Sequence, residues 1–172
     1  MEEIFLVSLV NLMSFRISIN LSYFIEFVLI LIMLIFISKF LHLFSLLLAG
    51  GGVIGVAVIQ SIYKKEGKTP EPNLAKGFRI LAFLSLLAIL IMWVTGVIQT
   101  LVIYGGFNLG WSFHVKLLGA TFILIASLII NIHLKKSAQN QIPPNQNTMK
   151  YCASAGRLGF LLALGGAIWT FA

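Results

Sequence analysis

Five ionisable side chains stand inside long apolar stretches of this sequence: Glu26, His42, His114, Lys116 and His133. An ionisable group in such surroundings is costly, so each one requires a reason. Imidazole is the natural metal ligand of the set. Two imidazoles from different helices at one depth are what a bis-histidine b-type haem needs. His42 opens a helical face that continues through Ser45, Ala49 and Gly52 at three- and four-residue steps. These small side chains leave room for a flat group beside the ring, or for close helix packing. His114 and Lys116 are two residues apart, so they point about 200° apart on a helix. One of them faces the protein interior and the other faces away, and the spacing does not say which. Trp93, Gly96 and Thr100 form a further stripe, whose polar atoms either bond across helices or touch a cofactor edge. Glu26 reads either as a proton-relay group or as an interface residue. His133 follows His114 by about 28 Å of helix, cannot share its site, and reads as an interface residue.

The elements that must position these residues follow from composition. The 172 residues are 59% hydrophobic and only 10% charged, with net charge +7 and mean hydropathy +1.02. A soluble domain carries about a quarter charged residues. The balance excludes a soluble globular domain, a disordered chain and a nucleic-acid-binding domain. It implies instead a chain whose main partner is the lipid bilayer. Each span needs about 20 apolar residues. The spacing of polar breaks predicts helices near 21–38, 40–63, 76–104, 111–134 and 151–172. The apolar run 4–15 is too short to cross and reads as an uncleaved, interfacial segment. The expected fold is an all-α integral membrane bundle: a four-helix core over 39–172, preceded by residues 1–38 as an extra membrane or interfacial helix. Lys135–Met149, polar and carrying Pro143-Pro144, reads as a flexible surface linker. The loops at 64–79 and 135–150 hold most of the lysine and arginine, whereas Gly105–Gly110 is uncharged. The positive-inside rule then places the basic loops in the cytoplasm and the C-terminus outside. His42 and His114 begin helices that enter from the same, outer side.

Several chemistries are absent from the pattern. There is no phosphate-binding glycine loop, no GxSxG and no HExxH. Aspartate is missing, and Cys152 is the single cysteine, so an internal disulfide and a cysteine-built metal cluster are excluded.

The stretch Lys39-Phe40-Leu41-His42, followed by Ala49-Gly50-Gly51-Gly52, is similar to the opening helix of small four-helix membrane proteins of the HemJ and CopD type. Trp93-Val94-Thr95-Gly96, then Gly105 and Trp111, then Phe113-His114-Val115-Lys116-Leu117-Leu118, resemble the later part of that pattern. The likeness covers about 39–135. It implies a haem b or porphyrin site, with protoporphyrinogen-oxidase-like chemistry on the HemJ side and copper handling on the CopD side. By the HemJ match the functional histidine and lysine fall on His42 and Lys116. The stretch Val53–Ala57 lacks the Pro-Arg pair that HemJ proteins carry there, and the five methionines are scattered. The expected function is therefore a membrane protein that binds b-type haem or a porphyrin, for electron transfer or tetrapyrrole oxidation. His42 and His114 would be metal ligands and Lys116 the catalytic cation, a propionate partner or an alternative ligand. Ser45, Gly52 and Trp93 would line the cofactor. A redox partner or a second copy would complete the system. The alternatives are a cofactor-free accessory subunit and a transporter for copper or another small solute.

Overall fold

In the computed structural model the chain forms four α-helices, and no strand occurs among the described residues. The backbone is described for residues 2–68 and 71–171, and the side chains for 21, 23–68 and 71–170. The helices are α1 (Glu2–Lys65), α2 (Pro72–Tyr104), α3 (Trp111–Asn140) and α4 (Gln146–Phe171). All four are long and apolar enough to cross a membrane, over Tyr23–Lys65, Pro72–Tyr104, Trp111–Asn140 and Gln146–Thr170. Such helices imply contact with a lipid bilayer.

Four boundaries differ from the expectation, one of them the start of α4 at Gln146, five residues before the expected 151. No separate helix precedes the core, because α1 runs through Ser38 and Lys39 without interruption. Neither residue breaks a helix, and no glycine or proline lies nearby to do so. Helix α2 begins at Pro72, four residues early, since proline in a first turn has no amide bond to lose. Helix α3 continues through Lys135 and Lys136 to Asn140 and α4 begins at Gln146, so most of the expected linker is helical. The stop comes at Gln141, whose φ of 54° is left-handed, ahead of Pro143-Pro144. Asn145 then starts α4: its Oδ1 accepts from the backbone N–H of Asn147 at 2.9 Å. The interfacial placement of residues 4–15 concerns side chains outside the described ones.

The chain divides into two compact units, Met1–Ser38 and Lys39–Ala172. The first is the opening part of α1. The second holds the rest of α1 with α2, α3 and α4. Its strongest seam is α3 against α4. In lipid, apolar side chains gain little by meeting each other, so association depends on close fit. A Cβ added at Gly119 would stand 2.4 Å from both the Ala163 nitrogen and the Gly159 carbonyl oxygen. One at Gly159 would stand 2.7 Å from the Gly119 oxygen, and one at Gly166 would stand 2.5 Å from the Lys116 nitrogen. The two backbones touch because these positions have no side chain. Above them the Thr170 hydroxyl meets that of Ser112 at 2.9 Å. Toward the other end, Asn131 Nδ2 donates to the Ala82 carbonyl at 3.1 Å and joins α3 to α2. On α1, the bare face of Gly52 meets the Ser85 hydroxyl of α2, which stands 2.6 Å from where a Cβ would be.

Replacing Gly119 or Gly159 by leucine is expected to cost about 1–3 kcal/mol of stability or more, the range for overfilling a tight seam. Gly50→Leu, at a position with nothing within 4 Å, is the control and should be tolerated. Thermal unfolding of the purified protein in detergent, followed by circular dichroism, checks this. Equal melting temperatures for all three variants would refute the backbone seam.

Candidate functional site

The site is built where α1, α2 and α3 come together in the second unit. His42 sits on α1, and its Nδ1 lies 2.9 Å from Thr95 Oγ1 of α2. The threonine hydroxyl has one proton, which it donates to the Ile91 carbonyl at 2.8 Å in its own helix. Oγ1 therefore accepts from His42 Nδ1–H, and the lone pair of the imidazole is carried by Nε2. A histidine held through Nδ1–H to a fixed acceptor is in the tautomer and orientation of a metal ligand or a base. Gly96 completes the seat. The His42 Cε1 atom stands 3.5 Å from where a Gly96 Cβ would be, so the ring rests along bare α2 backbone.

Lys116 projects from α3 within the same unit. Its Nζ stands 5.8 Å from the centre of the Phe113 ring, one turn earlier in α3. Phe113 is fully buried and leans on Phe107, with ring centres 6.3 Å apart. The lysine thus has a fixed aromatic floor, which a cation prefers to bare hydrocarbon. Its backbone is fixed as well, because Gly166 of α4 touches the Lys116 nitrogen and Cα side.

Of the residues singled out by spacing, the structure seats His42 against Thr95 and Gly96 and sets Lys116 over Phe113. Lys116 is half-buried and takes the inward direction, whereas His114 is exposed, its ring set edge-on to Phe113 at 6.1 Å. Ser45 is buried one turn below His42, and Gly52 lies further down the same face against Ser85. Trp93 is half-buried, yet its Nε1 is enclosed with no hydrogen-bond partner. An enclosed N–H without an acceptor is costly, and a ligand carboxylate or carbonyl would relieve it. His133 is remote from this group: its Nε2 accepts from the Asn145 backbone N–H at 2.8 Å, at the α3–α4 turn. Glu26 lies in the first unit. Among the described residues no group of three or more His, Cys, Asp or Glu side chains is placed to hold a metal ion.

Sequence reasoning missed Thr95 as the orienting partner of His42. Its signal was present, since it is the one hydroxyl in the Trp93–Gly96 segment, but helix spacing alone does not say which neighbour an imidazole meets.

Thr95→Val removes the acceptor and is expected to cost roughly 1 kcal/mol, the net worth of one such bond. It should also change the tautomer mixture of His42, read from the side-chain nitrogen shifts of histidine-labelled protein. Unchanged shifts for His42 would refute the assigned bond. No known family model matches the chain, and neither does any curated protein or any solved structure.

Proposed function

We propose that this protein binds a b-type haem or a porphyrin at the His42–Lys116 site and serves electron transfer or tetrapyrrole oxidation in the membrane. The observation that supports this best is the imidazole of His42, held through Nδ1 by Thr95 so that Nε2 is the available ligand atom. The residues fit the group in two respects: Nε2 of His42 would hold the metal, and Lys116 would hold a propionate or act as a second ligand. The macrocycle, when bound, supplies the redox chemistry. The chain's own residues fix the ring of His42, neutralise a carboxylate and keep bulk water away. Electrons would pass to or from a redox partner. The exposed ring of His114 makes Lys116 the better companion of His42 than the second histidine.

In this reading the basic loops face the cytoplasm and the site lies nearer the outer face. Residues to Ser38 act as an additional membrane or interfacial segment, since Tyr23–Lys65, at about 1.5 Å per residue, is roughly twice as long as the hydrocarbon layer is thick. A second reading, a cofactor-free accessory subunit, has one observation in its favour. Gly51 and Gly55, four apart on α1, have nothing within 4 Å and offer a face to a partner helix.

The test is a dithionite-reduced minus oxidised absorption spectrum of protein purified after expression with ample haem supply. A sharp b-type α-band is expected. His42→Ala should abolish it, Lys116→Ala should weaken haem retention at least several-fold, and His114→Ala should leave it. Loss in His114→Ala with retention in Lys116→Ala would restore the bis-histidine scheme. A flat spectrum from folded protein would favour the accessory reading.

A further inference from the structure

Helix α4 has two opposite faces, and the buried one fixes the other. Cys152, Gly159 and Gly166 recur every seven residues; the cysteine is buried, and the two glycines meet α3. Lys150, Arg157 and Leu164 recur at the same interval, two positions earlier. They are therefore about 200° round the helix, on the side away from α3. The face continues through Leu161 and Ile168. Both cations are exposed, as are Leu161, Leu164 and Ile168. The stripe thus reads as two positive charges toward the start of α4 followed by about three turns of open hydrocarbon.

Neither Lys150 nor Arg157 has an acidic partner among the described residues, where the one ion pair is Lys68 with Glu66. Arg157 is the twelfth residue of α4, well inside an apolar span. Side chains on a helix lean toward its N-terminus, so Arg157 reaches back toward Lys150 two turns away. An exposed guanidinium at that depth requires an anion, and guanidinium pairs with phosphate through two parallel bonds. Tyr151, 76% exposed beside Lys150, is a usual residue at headgroup level.

We infer that the outer face of α4 seats an anionic phospholipid, its phosphate held between Lys150 and Arg157 and its acyl chain lying along Leu161, Leu164 and Ile168. The charge pattern selects the headgroup, and the apolar continuation on the same face distinguishes a lipid from a soluble phosphate. The inference is independent of any cofactor at His42.

The test reads which lipid stays with the protein. Full-length protein in detergent is equilibrated with vesicles of equimolar phosphatidylglycerol and phosphatidylcholine, repurified, and its retained lipid measured by mass spectrometry. Several-fold enrichment of phosphatidylglycerol is expected. The Lys150→Gln/Arg157→Gln double variant should return the retained ratio to that of the vesicles, and Arg157→Lys, which keeps the charge, should preserve most of the enrichment. Lys64→Gln/Lys65→Gln, at the end of α1, should leave it intact. The inference is overturned if the α4 double variant, shown folded by circular dichroism, retains the enrichment. It is also overturned if the α1 pair loses as much, or if excess inorganic phosphate abolishes it.

Discussion

The contact on which the rest of the second unit depends is backbone against backbone between α3 and α4. Water drives little here, because the surroundings of a membrane helix are as apolar as its neighbours. What remains is close fit and the few hydrogen bonds that close fit allows. Gly119, Gly159 and Gly166 supply the fit. The hydroxyls of Ser112 and Thr170 close the upper end of the seam. The seam also sets the rotation of α3 about its own axis. With Gly119 turned to α4 and Phe113 buried, Lys116 is held half-buried and His114 is turned out. The choice between those two residues, left open by their spacing alone, is made by glycines more than forty positions further along the chain.

The same economy governs the ends of the helices. The turn between α2 and α3 is cut at both ends by residues with few alternatives: Gly105 takes φ 73° after Tyr104, and Gly110 takes φ 86° before Trp111. At the opposite end Asn145 supplies the first amides of α4 with an acceptor, and His133 accepts the Asn145 amide. A histidine with no place in the candidate site thus has a structural reason to be where it is. It serves the turn through Nε2, which accepts the amide.

Helix type and membrane class were legible from composition, because no other fold can bury so continuous an apolar chain. The existence of α2, α3 and α4 was legible from polar breaks. At Ser38-Lys39 the expected division separates the two compact units, but polarity there does not interrupt α1, because the backbone has no cause to stop. Likewise Lys135 and Lys136 do not end α3. A lysine near a helix end can snorkel and leave the helix intact, so charge marks a membrane boundary and not a helix boundary. Within the site, His42 and Lys116 stood out as ionisable groups in apolar surroundings. Thr95 did not, because a hydroxyl in lipid has a ready partner in its own helix, and only the packing of α1 on α2 gives it a second one.

That double engagement of Thr95 is what gives the site its direction. A threonine in a membrane helix ordinarily satisfies itself by donating to a carbonyl one turn back. Here it does so, toward Ile91, and the act of donating leaves its oxygen able only to accept. The neighbouring imidazole must then present Nδ1–H, and the state of the ring is decided by the helix hydrogen-bond pattern of α2. Serine could make the same bonds but lacks the methyl group that restricts rotation about χ1. Gly96, one residue on, lets the ring lie against the helix at van der Waals distance. Two adjacent residues of α2 therefore fix both the tautomer and the position of His42, while α4, through Gly166, fixes the backbone of Lys116 from the other side.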